Sequence, residues 1–365
     1  MSADTGTGPE HHRSGRREAT GTKTVLLAAI APVVLAVAAA LAAAAHIAAG
    51  EVPGLPTPGA AVGFAAPPLR ALLDLAAVAT VGLGLLPRLL PDRSKHARAH
   101  LALSRRAAVI AALAWLICAL LLLVLYAAEL AGGVPTTEEV AGYVTGVPAG
   151  TALALSVVCA AGCAVLGLIG VVRDGRADTG ATNRDAAANE GLVDDLRTVL
   201  ALLGLLPMPL TGHATDWEYH NLSMISVQLH VLAAAVWAGG LTAIVLFVAP
   251  RRGLLATTLP RYSRLATAAI TVVALSGLFN GLTELTAADG GLDGLLTIGY
   301  GRIVLLKTAL LVLLALLGGH ARYRLLPRIE RHHRTTFITW TAAELTIMGA
   351  AYGLGAVLAR SPVLT

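Results

Sequence analysis

The chain is predicted to be all-α, a polytopic transmembrane bundle of about nine helices with its amino terminus inside and its carboxyl terminus outside. The first of three observations behind this is composition. Of 365 residues, 56% are apolar and 13% charged, against roughly 25% charged in a soluble domain, and the mean hydropathy is +0.72. The second is that Ala/Leu/Val runs near the ~20 residues a bilayer core requires recur along the whole chain. The third is that Lys and Arg gather in alternate loops, as expected of the cytoplasmic side of a plasma-membrane protein.

Residues 1–23 are polar, basic and without apolar period, so they are expected to form a disordered cytoplasmic tail. The first apolar run, about 24–48, exceeds the ~7–15 residues of a signal-peptide core and is expected to be a retained helix. Further spans are expected at about 67–88, 105–131, 147–172, 194–212, 222–249, 264–287, 297–319 and 336–360. The fifth is the weakest, being short, preceded by a polar stretch and interrupted by Pro207 and Pro209. The loops "PRLLPDRSKHARAHLALSRR", "RDGRADTGATNR", "PRRGLLATTLPRYSR" and "HARYRLLPRIERHHR" are basic. Those between them, "GEVPGLPTPG", "GGVPTTEEVAGY", "GHATDWEYHN" and "TAADGGLDGLL", hold no Lys or Arg. One spurious span would break this alternation. Residues 24–190 then form a motif-poor four-helix region, and 191–365 a second region holding most of the polar and aromatic content.

The net charge of +5 is a topology signal and not a nucleic-acid footprint, because the basic residues are split among short loops. Cys118, Cys159 and Cys163 lie in apolar runs and read as small hydrophobes. No P-loop, dinucleotide fingerprint, HExxH or nucleophile elbow occurs, so the chain is not expected to be an enzyme.

Between Met208 and His230 lie three of the eleven histidines and two of the four methionines. Imidazole suits copper, zinc, iron and nickel, whereas thioether favours Cu(I), so His213, His220 and His230 beside Met208 and Met224 point to copper. His213 and His220 are expected at the outer surface, and His46 at the outer end of the first span adds another outward histidine. His230 falls about eight residues, roughly 12 Å, into the membrane, where an ionisable group is a functional candidate by default. Trp237 follows it at i+7 on the same face. Asn280 and Glu284 share a face of the seventh span, and Arg302, Lys307 and Glu344 lie in the last two. Glu284 is expected to pair with Arg302 or Lys307, Glu344 to face Lys307, and Asp74 to be interfacial. Haem b is the alternative cofactor, histidines on neighbouring helices being able to ligate iron.

The segments "HVLAAAVWAGGL" (230–241), "RYSRLA" (261–266), "SGLFNGLTEL" (276–285), "GYGRIVLLKTALL" (299–311) and "AELTIMGAAYGLGAVLARSP" (343–362) together resemble the copper-resistance protein D (CopD) family, as does "LTGHA" around His213. The resemblance covers about residues 205–362; the first 200 add a compatible helix count. It implies a bacterial inner-membrane protein of copper handling, thought to move copper across the membrane beside a separate CopC-like extracytoplasmic protein. By position, His213, His230, Trp237, Arg302 and Lys307 match. His320 lies where the pattern departs and takes no role from it. Delivery of copper to an oxidase would use the same ligands.

Overall fold

The structure is a computed structural model that describes residues 10–46, 60–90, 95–177, 184–207, 220–287, 299–320 and 334–359. Nearly all of those residues are helical, apart from short turns such as 132–136 and 249–251. The helices are α1 (Glu10–His46), α2 (Ala60–Leu89), α3 (Lys95–Ala131), α4 (Thr137–Gly146), α5 (Pro148–Ala177), α6 (Arg184–Leu205), α7 (His220–Ala243), α8 (Arg252–Ala287), α9 (Gly299–His320) and α10 (Arg334–Leu358). A π-helical stretch, Ile244–Val248, continues α7. Short α4 starts with a capping box in which the Glu139 amide donates to Thr136 Oγ1 and the Thr136 amide donates back to the Glu139 carboxylate. Those donors hold the Glu139 carboxyl below the usual carboxylate range.

Eight helices among the described residues are long and apolar enough to cross a membrane. Their outer faces carry large apolar side chains such as Leu27 and Val34 on α1, Ile110 and Ile117 on α3, Leu275 and Leu278 on α8 and Leu316 on α9. These suit contact with lipid, and the chain is a multi-pass membrane protein.

The expected fifth span is where expectation and structure differ. Its helix, α6, begins ten residues earlier than expected and stops at Leu205. Acidic and basic residues in its first half make it too polar to count among the helices that can cross a membrane by length and composition. It is nevertheless built into the bundle. Leu200 lies against Gly162 and Gly204 against Cys159 and Trp115, so α6 runs antiparallel to α5. The charges of α6 are matched at one end of the bundle. Arg105 on α3 binds Asp174 on α5 and, at 2.9 Å, Asp194 on α6, while Arg88 on α2 meets Asp195 at 2.6 Å. Gln228 Nε2 of α7 donates to the carbonyl of Leu206 at 3.4 Å, just past the end of α6. From there α7 descends towards the charged end, so α6 and α7 are antiparallel too.

Small residues set the closest crossings, as they do where helices associate in lipid. A Cβ added at Gly349 would sit 2.2 Å from the Pro32 carbonyl oxygen, and one at Gly353 2.1 Å from that of Ala36, so α1 and α10 meet backbone to backbone. On α2, a Cβ at Gly82 would sit 1.9 Å from the Gly239 carbonyl of α7. Side-chain bonds fasten other pairs. Trp115 Nε1 donates to Ser156 Oγ at 3.0 Å between α3 and α5, and the Tyr262 hydroxyl of α8 donates to the Trp237 carbonyl of α7 at 2.8 Å.

Candidate functional site

His230 is held on α7 by the packing of α8. Its Nδ1 lies 3.0 Å from Ser276 Oγ, with the Val273 carbonyl as a further acceptor beside it. The Ser276 hydroxyl has one proton, and it points to the Val272 carbonyl 2.5 Å away. With its proton on that carbonyl the serine oxygen accepts from the imidazole, an arrangement that favours the tautomer with the proton on Nδ1 and the lone pair on Nε2. A neutral imidazole in that tautomer is a metal ligand in waiting, with its other nitrogen anchored as ligating histidines usually are. Gly277, the next residue, makes room for the ring; a Cβ there would be 3.4 Å from His230 Cε1.

Around His230 the fold gathers polar groups from three further helices. Lys307 on α9 is close enough for its charge to act on both His230 and Asp74, and its Nζ lies 3.4 Å from the place a Cβ would take at Gly355 on α10. Asp74 on α2 is bound by Arg70 at 3.1 Å, one turn earlier. Asn280 stands one turn beyond Ser276 on α8; its Oδ1 is buried and accepts no hydrogen bond among the described residues. The belt thus holds an imidazole, an amide oxygen and an ion pair extended by an ammonium.

Several expectations shift here. Asp74 is part of the belt and not merely interfacial, because α2 continues well beyond it on both sides. Glu344 does not meet Lys307. It packs against Gly318, eleven residues along α9 from Lys307, about 16 Å at ~1.5 Å per residue. Met224 is buried at 8% exposure, and at i−6 from His230 it projects from a different side of α7. Trp237 is also buried and contributes its carbonyl to Tyr262. Arg302 is exposed near the start of α9, and His46 is exposed at the end of α1. Since Gly353 lies against Ala36 and Ala39, His46 is about two turns, ~11 Å, outward of the Lys307 level. His213 and Met208 lie outside the described residues, and His220 and Glu284 are described only as helix backbone.

Ser276, Arg70, Asp74 and Tyr262 were not singled out as partners by sequence alone. Arg70 and Asp74 had a readable signal, an i, i+4 pair of opposite charges inside an apolar run. Ser276 and Tyr262 had none, because only the docking of α8 on α7 gives them partners.

Comparison with known proteins bears on both halves of the chain. Residues 256–358 match the family described as Copper resistance protein D, and residues 60–221 match the Copper resistance protein D-like, N-terminal domain. The N-terminal match adds family character to a region for which the sequence motifs offered only helix count. Most of α7, with His230, falls between the two matched stretches. The copper transport protein CutJ of Bacillus subtilis (strain 168) is 32% identical over 155 residues, which are 40% of this chain and 28% of that protein. The chain thus covers little more than a quarter of that relative's length. No solved structure matches.

Proposed function

Because the chain belongs to the copper resistance protein D family, we propose that it passes copper ions across the membrane, with His230 as the ligand inside the bundle. The observation that carries this reading is the arrangement at Ser276, which ties down Nδ1 and leaves Nε2 of His230 to bind metal. Copper, the cargo, is taken up at the outer surface by His213, His220, His46 and Met208, handed over by a separate CopC-like protein. It then exchanges onto His230. Met224 packs the bundle and is not a ligand on this path.

A path needs ligands that release as well as bind. One imidazole flanked by an amide oxygen is such a weak station, and no tight cage is required. Lys307, whose charge acts on His230 as well as on Asp74, lies beside this station, and a cation bound at His230 is repelled by that ammonium, which favours release. Neither family description nor the relative's name points to haem, and the haem reading gains no support from them.

The test is copper binding to the purified full chain, followed by copper uptake into vesicles, for wild type, His230→Ala and His213→Ala. Wild type should bind copper without a Soret band, and His230→Ala should lose uptake at least tenfold while keeping surface binding. Uptake by His230→Ala at the wild-type rate, or a Soret band lost in that variant, would sink the proposal.

A further inference from the structure

Glu344 on α10 is a carboxyl at 7% exposure inside a membrane span, within two turns of its start at Ile338. Its Oε1 rests 3.5 Å from where a Cβ at Gly318 would be, so the missing side chain on α9 makes its berth. None of the ion pairs among the described residues includes it. Among the described residues the groups facing it are few. Tyr262 of α8 is near enough to interact with its charge, and that hydroxyl donates to the Trp237 carbonyl. His320 of α9 stacks on Trp340, one turn before Glu344, with ring centroids 5.1 Å apart. From Val25 to Ala45 of α1, and from Val231 to Ala243 of α7, there is no titratable side chain. On α2, Arg70 and Asp74 bind each other and Arg88 binds Asp195.

We propose that Glu344 is a proton-binding site, emptied and refilled as copper passes, which couples transport to proton movement. The inference rests on the copper-transport reading above for its cargo, but the proton site itself does not. A carboxylate with no cation beside it is poorly tolerated in a span, and so is a metal ion. The two problems offset each other if the carboxyl bears its proton while the span is empty of metal. As the ion enters, the O–H bond breaks, the proton leaves to water at the His320 end, and the carboxylate balances the cation's charge. When the ion departs, a proton from water restores the acid. Tyr262 links this group to α7 through the Trp237 carbonyl, and His230 lies seven residues earlier on the same face of that helix. The stretch just beyond is π-helical, a local irregularity often found at functional sites. From Ser276 down to Tyr262 is fourteen residues of α8, about 21 Å, so the proton site is deeper than the metal ligand and distinct from it.

Two measurements on the purified full chain test this. In proteoliposomes with an internal pH dye, copper uptake should be accompanied by proton movement, and an imposed pH gradient should change the uptake rate several-fold. Glu344→Gln, which mimics the protonated form, should lose both responses, and Glu344→Asp should keep them. Proton movement with copper that is unchanged in Glu344→Gln overturns the proposal. Infrared difference spectra on changing pH should show a protonated-carboxyl band that disappears in Glu344→Gln; no such band in wild type overturns it as well. A titrating, Glu344-dependent band in vesicles that take up no copper would uphold the proton site and sink the copper-transport reading instead.

Discussion

One hydroxyl, that of Ser276, stands 3.0 Å from His230 Nδ1 and favours Nε2 as the nitrogen the ring presents. Replacing Ser276 by Ala frees Nδ1, lets the ring turn and exchange tautomers, and should weaken copper binding about 10- to 100-fold, the usual cost of losing such an anchor. Ser276→Thr keeps the hydroxyl and should restore most of it. A competition titration measures both, and wild-type affinity in Ser276→Ala would show that the bond does not set the tautomer. Asn280 offers the opposite kind of test. Its Oδ1 is buried without a hydrogen bond among the described residues, an arrangement that costs stability. Asn280→Leu should therefore leave the unfolding temperature unchanged or raise it while lowering copper uptake. A large fall in that temperature would mean that the amide is structural. His230 itself was legible in the sequence, since a histidine inside an apolar run stands out. Its partner was not, because "ALSGLF" gives a serine there no distinction until α8 docks on α7.

Helix pairs are held in two ways, each with its own vulnerability. Where α1 and α10 touch through Gly349 and Gly353, any side chain must push two backbones apart. Gly353→Ala should lower stability by about 1–3 kcal/mol, the usual cost of overpacking. Gly281→Ala on α8, with nothing within 4 Å of the new Cβ, is the control. If both behave alike in thermal unfolding, contact between these helices is looser than the structure has it. Around α6 the fastening is ionic. Arg105 and Asp194 have side chains at 7% and 6% exposure, so Arg105→Ala leaves Asp194 with Arg197 alone, at 3.4 Å, and should cost about 3 kcal/mol, the low end for breaking a buried pair. A loss below 1 kcal/mol would place this network in contact with water. The spans flanking α6 were readable from hydropathy, but α6 was only half so. Its carboxylates look too polar for a buried helix until the arginines on α2 and α3 that meet them are known.

For the whole molecule, orientation decides what the proposed path does. Hydropathy and loop charge made the spans legible, yet neither says how a helix as polar as α6 contributes to the count. The packing does. With α6 antiparallel to both α5 and α7, Val134 in the α3–α4 loop and Arg251 before α8 lie at opposite ends of the bundle, as alternation of basic loops requires. If instead the chain entered and left the membrane on one side around α6, both would face the same compartment. Single cysteines at these positions separate the cases by labelling intact cells with a membrane-impermeant thiol reagent. Val134 is 97% exposed and Arg251 is exposed as well, while Cys159 and Cys163 are buried and Cys118 is half-buried, so native thiols should stay silent. Val134→Cys should label at once and Arg251→Cys only after permeabilisation. Labelling of both in intact cells would remove the crossing at α6. Labelling of Arg251→Cys alone would invert the bundle, put His230 nearer the cytoplasm, and turn the same ligands into a route for copper out of the cell.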